Sequence, residues 1–472
     1  MTSDSTATKE IEPAVDATAG ATDLSAQQKG KIIRDPLHDL IRIDCPFVLK
    51  LIETRAFQRL RKIRQLGLAF LVYPGAEHSR FTHSVGAYHL SMRVVRALKR
   101  IKPNLFTKEE EVAIGLAALC HDIGHGPFSH LFERVTESYI GKKPANHETW
   151  TLAIIEHDKD VSKILKEAGN GVFEIVRAII DKTYTNSYVK DIVSSQLDVD
   201  RFDYLMRDSM MCGVKYGTID LNWLIRTLKC GEIDRDSKKV TTLALDGKRG
   251  LASVESYILG RYYMYIHVYY HKTIRAAETM LRNLLKEVIK ETANGFVPVP
   301  RAFAKYADKK VPELEEYLEL NDFAFLNLLD VWAGQEISVI QDLARRLVER
   351  RIFATLVVPE NLAYDKRQER EAKAKDFLRD KKLSAESDRK IDPDIYFIND
   401  EATDVAYKDY YFQAQRGKEA EHQEIYYLDA NKNTKSLSSL KSFVNELTYK
   451  EERIYVPKEY REELTKICVD GK

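Results

Sequence analysis

The chain has 472 residues, 31% of them charged, with a formal net charge of +1 and five cysteines. That length allows two or three domains and a large core, and the balanced charge excludes both an acidic tail and a polycation committed to nucleic acid. Cys45, Cys120, Cys212, Cys230 and Cys468 show no CxxC spacing, which argues for reduced thiols in a cytoplasmic protein and against a disulfide framework or a Cys-ligated zinc.

Residues 1–29 are rich in Ala, Thr, Ser and Asp and lack an apolar run. They read as a disordered tail, not a signal peptide, and no segment reads as membrane-spanning. Ordered sequence is expected from Lys31, with the alternation Leu40, Ile41, Arg42, Ile43 predicting a short strand or hairpin. From Pro46 to Leu66 the pattern is helical, and Arg55, Gln58, Arg59, Arg61, Lys62 and Arg64 read mostly as a solvated face. A turn over Tyr73 to Ser84 leads into a helix to about Ile101, on which His83 shares a stripe with Gly86, Leu90, Val94 and Ala97 and so faces inward. Taken alone, such a His is ordinarily a hydrogen-bonded core residue.

The next helix, Glu109 to Leu119, opens with capping-box spacing at Thr107 and Glu110. It ends at Cys120-His121-Asp122, and Gly124, Gly126 and Pro127 then force an irregular turn that presents His125 and His130 from a loop. An adjacent His and Asp offer one neutral nitrogen and one anionic oxygen, a mixture that divalent Fe, Mn, Co or Zn accepts. The plain alternative is a solvated His-rich turn. Further on, Asn146 is an expected N-cap for a helix starting at His147. Asp200, Tyr204 and Asp208 line one face of a helix whose other face carries Val199, Phe202 and Met206. That polar face suits a ligand cleft, the ordinary alternative being a surface with Arg ion pairs. Residues 251–291 predict one long helix, with Arg261 and Tyr269 two turns apart.

Beyond Pro298 the composition changes: helix to about Arg350, a strand at Thr355 to Val358, and an exposed, ion-paired helix over 366–390. Short strands at Ile395 to Ile398, Glu424 to Leu428 and Arg453 to Val456 follow, with a helix from about Ser436. The expected architecture is mainly α: a helical domain over 30–299 and a smaller accessory α+β lobe over 300–472.

In order, His83, His121-Asp122 and Asp200 resemble the H…HD…D signature of HD-domain phosphohydrolases. The flanking stretches KxIxDPxHxxI (31–41), FQRLRxIxQLG (57–67), HSRFTHSxG (78–86), HDIGHGPFSH (121–130) and DVDRFDYLxRD (198–208) narrow the resemblance to the deoxynucleotide triphosphohydrolase branch. The likeness is close over about 30–280 and looser beyond, and it implies an HD-domain helical bundle.

The resemblance further implies that His83, His121, Asp122 and Asp200 hold one divalent transition metal, while His125, His130, His147 and Glu133 surround the reacting phosphate. The family usually has Asp at position 133. Gln65 and Leu66 would touch the sugar, Arg80, Arg201 and Arg261 the phosphates with their Mg2+, Tyr204 and Asp208 the 3′-hydroxyl, and Tyr269 the sugar's underside. Arg201 stands where vertebrate members have Lys, keeping the charge and adding a bidentate fork. The implied reaction is metal-dependent attack at the α-phosphorus of a dNTP, giving deoxynucleoside and triphosphate, with His130 or His125 as general acid. Homodimers or homotetramers with an activating nucleotide at Lys31, Ile32, Glu53, Gln58 and Arg61 are implied as well. Here Glu53 replaces an Asp and Arg34 an Asn of vertebrate members. Two other readings stand beside this one: an HD phosphohydrolase of 5′-monophosphates, cyclic nucleotides or guanosine tetraphosphate, and a non-catalytic nucleic-acid-binding HD protein using the basic 55–64 stretch. Nucleic acid is not the expected partner.

Overall fold

A computed structural model describes residues 30–235, 237–292, 297–336, 338–359, 362–383, 389–405, 424–440 and 447–471. The expected tail at 1–29 lies outside these. The predicted hairpin is present as β1 (Lys31–Asp35) and β2 (Asp39–Ile43), antiparallel with Lys31 opposite Ile43. Its turn is closed by the Asp35 carboxylate, which accepts from the backbone N–H groups of Leu37 and His38 at 2.9 Å.

The helical run expected over 46–66 is cut short. Helix α1 (Pro46–Glu53) stops because Thr54 is extended, its hydroxyl accepting instead from Phe57 N to cap a new turn. Single turns then carry the chain to Lys62. Nor is this face uniformly solvated: Arg59 is 5% exposed, donating to the carbonyls of Leu320 (2.8 Å) and His125 (2.7 Å). A buried guanidinium spends its donors on backbone oxygens that would otherwise be orphaned.

Helix α2 (Arg80–Ile101) and helix α3 (Lys108–Cys120) match the predicted helices, the latter with both halves of the Thr107–Glu110 capping box made. Helix α4 (His130–Ile140) begins one residue after the glycine turn, so His130 belongs to a helix N-terminus and only His125 to the loop. Asn146 caps α5 (His147–His157) through Glu148 N, as expected. Helix α6 (Val199–Met211) crosses α2 at Gly86, where a Cβ would run into the Asp203 carboxylate and the Arg207 guanidinium. Close approach, not a special φ, is what glycine supplies there.

Helix α7 (Leu221–Thr227) leads into the hairpin β3 (Leu228–Arg235) and β4 (Lys238–Asp246). This hairpin was not among the sequence expectations. The long helix expected over 251–291 is two helices, α8 (Leu251–Met264) and α9 (Lys272–Thr292), separated by a π turn at Tyr265–Tyr269 closed by Tyr270 N to Tyr265 O at 2.8 Å. The wide turn re-aims the tyrosine run toward α6, and the Tyr269 hydroxyl donates to Asp208 at 2.7 Å.

Helices α10 (Asp322–Ala333) and α11 (Ser338–Val348), strand β5 (Ala354–Val357) and the charged helix α12 (Tyr364–Arg379) follow. The strand expected at Ile395 starts later: Asp392 caps a helical turn at Pro393–Tyr396, and β6 runs Ile398–Val405. Proline at the first helical position favours that turn. β7 (Tyr426–Leu428) joins β4 in parallel, and β8 (Thr434–Ser436) completes the sheet β3-β4-β7-β8. The start of the helix expected from about Ser436 is a 3-10 turn at Leu437–Ser439, and the stretch over 441–446 on which the rest of that expectation falls lies outside the described residues. β9 (Thr448–Val456) is the centre of the sheet β5-β9-β6.

The fold is mainly α, with two large cores. One joins α1, α2, α3 and α6; the other joins α9 to α10, α11 and the last sheet. Ile123 packs in the first core while Phe128 and Phe132 pack in the second, so the glycine turn is clamped between them. Among the described residues no helix is long and apolar enough to cross a membrane.

Candidate active site

Two hydrogen bonds fix the tautomers of the central histidines. His121 Nδ1 lies 2.8 Å from the Ala118 carbonyl, which can only accept, so Nδ1 carries the proton. His83 Nδ1 lies 2.9 Å from Asp203 Oδ2, and that fully buried carboxylate is held ionised, against burial, by Arg207, His38 and His83. Both Nε2 atoms therefore present lone pairs, and they face each other at 3.2 Å. Asp200 Oδ1 is 3.0 Å from His83 Nε2 and 3.5 Å from His121 Nε2, and Asp122 reaches His121 at 3.4 Å and His83 at 3.8 Å.

Two lone pairs and two carboxylates converging on one point repel unless a cation lies between them. Protonation answers the same demand: burial opposes an imidazolium at His83, yet Asp200 and Asp203 outweigh it and raise its pKa to about 10. His83, His121 and Asp122 cluster closely enough to share one ion, and Asp200 adds a second carboxylate beside both imidazoles. With each imidazole oriented by a carboxylate or carbonyl behind it, these donors fit a divalent transition metal.

Sequence reasoning missed the groups behind the candidate ligands. Asp203 also meets His38 Nε2 at 2.7 Å, and Arg207 forks between Asp203 and Asp35. His78 meets Asp208 at 2.8 Å. The signal was present: Asp203 and Arg207 sit one and two turns from Asp200, and Asp35 and His38 belong to the DPxH motif.

Beside the first cluster lies a second. His125 Nε2 is 3.3 Å from Asp122, and its ring stacks on His147 with centroids 3.9 Å apart. Glu133 accepts from His147 at 2.8 Å, stands 3.4 Å from His130 and is 3.7 Å from His125 Nδ1, a buried atom with no hydrogen-bond partner among the described residues. Burial works against its charge, but His130 and His147 hold the Glu133 carboxyl well below the usual range. Burial, then Arg80 and His147, keep His125 neutral.

Both clusters border one cleft of about 400 Å³, lined by Asp122, Asp200, His125, His130 and His147 and by Gln65, Leu66, Arg80, Tyr204, Asp208 and Tyr269. Arg134, Tyr265, Arg275 and Glu278 also line it and were not anticipated. Arg80 is 5% exposed and already committed, donating to Ser129 Oγ at 2.7 and 3.0 Å and to Asp122. Arg201 and Arg261 are not brought to the lining. Arg201 pairs with Asp198 and the Ser195 carbonyl, while Arg261, 4% exposed, lies behind the wall near Gln196 at 3.5 Å and over Tyr265. Among the described residues, buried Arg261 Nε and Gln65 Oε1 have no hydrogen-bond partner.

Of the expected regulatory residues, Gln58 and Arg61 meet at 2.8 Å, with Arg61 stacked on Phe81. Lys31, Ile32 and Glu53 are exposed on β1 and at the end of α1.

The HD domain family matches residues 80–208 and its HD associated region residues 219–311. The uncharacterized protein YwfO of Bacillus subtilis is 34% identical over 91% of this chain and 92% of its own length. The chain belongs to the HD-domain family and is a hydrolase of the HD phosphohydrolase superfamily. Its kinship reaches the deoxynucleoside triphosphate triphosphohydrolases: the SAMHD1 homolog of Dictyostelium discoideum is 30% identical over 70% of this chain, which spans 61% of that relative. A phosphohydrolase structure from Bacteroides thetaiotaomicron superposes with a TM-score of 0.72 at 27% identity, covering 90% of this chain and 98% of that one.

Proposed function

We propose that this protein hydrolyses deoxynucleoside triphosphates to deoxynucleoside and intact triphosphate, and that a second nucleotide activates it. The observation that carries the reading is that the two histidine–carboxylate clusters share one cleft of about 400 Å³ with Gln65, Tyr204, Asp208 and Tyr269, a nucleotide-sized space with polar groups spread along its length.

His83, His121 and Asp122, with Asp200 beside them, would hold the metal. When bound, such a metal supplies Lewis acidity to a phosphoryl oxygen and lowers the pKa of water. The remaining work belongs to the chain. Arg80 offers its guanidinium to the phosphates from beside Asp122. Arg201 and Arg261, which lie outside the lining against Asp198 and Gln196, would have to leave those partners to join it, with Mg2+ expected to accompany the phosphates. His130, at the mouth of the cleft against Glu133, delivers the proton to the leaving 5′-oxygen. His125 and His147 position that pair. Asp208, receiving Tyr269 and His78 at 2.7 and 2.8 Å, accepts from the 3′-hydroxyl with Tyr204 beside it, while Leu66 and Tyr269 bound the sugar.

The protein acts in the cytoplasm as a homodimer or homotetramer, with the activating nucleotide at Lys31, Ile32, Glu53, Gln58 and Arg61. Residues 30–299 form the catalytic unit and 300–472 the accessory lobe. Chromatography of dGTP digests tests the reaction: deoxyguanosine plus triphosphate is expected, and dGMP plus pyrophosphate would overturn the assignment. A panel of 5′-monophosphates, cyclic nucleotides and guanosine tetraphosphate run beside the four dNTPs tests the substrate class.

A further inference from the structure

A larger cleft, of about 690 Å³, lies between α2, α7 and the start of β3. Arg93, Arg96 and Arg100 enter it from α2, Arg226 from α7 and Lys229 from β3, and no Asp or Glu lines it. The chain as a whole carries 73 basic and 72 acidic side chains, so five cations gathered without a carboxylate are a local decision and not a reflection of composition. Among the described residues none of the five has an ion-pair partner; Arg93 donates only to Asn222. Burial, and then Arg96, push the Arg93 pKa down, the mark of cations pressed together. Like charges held this close cost stability unless a mobile anion joins them.

The spacing says which anion. Arg93, Arg96 and Arg100 follow i, i+3, i+7 along one face of α2, a reach of about 10 Å at 1.5 Å per residue. That is the extent of several linked phosphates, more than a single phosphate needs. Arg226 and Lys229 close the opposite side, and Ala97, Ile101 and Ile225 add an apolar strip. None of these residues lines the HD cleft or belongs to the expected regulatory set.

We propose that this cleft binds a triphosphate group, whether free or borne by a nucleoside. His89 at its edge is the natural reporter, because its ring packs on His38 at 5.1 Å. Burial first, then His38, Arg93 and Arg96, push its pKa down to about 4. An anion lodged beside Arg93 and Arg96 cancels part of that field and raises it.

The test uses the full chain, with inorganic tripolyphosphate in one arm and a nucleoside triphosphate in the other, followed by calorimetry and by proton NMR titration of His89. Binding is expected to raise the His89 midpoint. The double substitution Arg96→Ala with Arg100→Ala, at two exposed positions, is expected to weaken this site about tenfold or more and leave binding at the HD cleft unchanged. Arg96→Lys with Arg100→Lys should restore most of the affinity. Equal affinity for both anions identifies free triphosphate as the occupant, and preference for the nucleotide assigns the apolar strip to the base; either supports the proposal. It is overturned if neither anion moves His89, if the double variant binds like the wild type, or if only a nucleic-acid oligomer shifts the signal.

Discussion

Asp203 carries more of the candidate metal site than its absence from the proposed ligand set suggests. It holds His83 Nδ1 at 2.9 Å while bonded to His38 and Arg207, so it fixes both the tautomer and the ring plane of a candidate ligand. Asp203→Asn keeps the shape but loses the charge, and metal affinity is expected to fall roughly 10- to 100-fold, the usual cost of losing a group behind a ligand. Elemental analysis after dialysis against graded chelator reads this directly; full metal retention would refute it. Gly86 bears on the same spot from α2. In Gly86→Ala the new methyl meets the Asp203 carboxylate and Arg207 head on, so a loss of about 1–3 kcal/mol of stability, the range for overpacking, is expected in denaturant titrations together with loss of metal. Substituting Gly141, where a Cβ meets nothing within 4 Å, tests strain alone because its φ is +86°.

Between elements, Asp322 at the start of α10 does what no regular ladder does. One carboxylate oxygen accepts from Phe128 N at 2.8 Å and the other from Arg64 N at 2.9 Å, so it ties the glycine turn and the 59–64 segment to the second core. Burial pushes its pKa up to about 6, the two backbone donors working the other way. The folded state thus binds this proton more tightly than the unfolded chain, whose Asp titrates near 3.9. The stability it contributes is complete below about pH 4 and lost as pH rises through about 6, an effect of up to roughly 3 kcal/mol at 1.36 kcal/mol per unit. Asp322→Asn removes the titration, so the Tm difference between wild type and variant should shrink between pH 4 and 7. A pH-independent difference would refute the argument. The π turn at Tyr265–Tyr269 is the other such join: it brings Tyr269 to Asp208, which an unbroken α-helix would not.

Across the whole molecule, a metal that binds only the folded state stabilises it by mass action. Chelation is expected to abolish hydrolysis and lower Tm by several degrees, with Mn2+, Fe2+ or Co2+ restoring both, as scanning calorimetry and product chromatography would record; unchanged Tm and activity would remove the metal from the reading. Assembly is tested by sedimentation with and without GTP or dATP alongside dTTP hydrolysis: a shift to dimer or tetramer that raises the rate is expected. The chain beyond residue 300 also reaches the cleft, since Asp400 on β6 holds the cleft-lining Arg275 at 3.0 Å. Asp400→Ala should therefore loosen substrate binding, with KM rising several-fold and metal content unchanged.

Much of this was legible in the chain itself. Helical periodicity put His83 on the inward face of α2, and the capping box at Thr107 with the glycines after Asp122 fixed where α3 ends and the turn begins, because such signals act within a few residues and need no partner. The order His83, His121, Asp122, Asp200 likewise named four donors that do meet. The roles of Asp203, Asp35, His38 and Asp322, the break at Tyr265, and the burial of Arg59 and Arg261 were not legible. Each depends on which distant backbone or side chain arrives beside it: Asp35 meets Arg207 across 172 positions, Arg59 meets Leu320 across 261. Local sequence sets the conformation of a segment and the face it turns inward; only the packing of two cores around one turn decides what that face will touch.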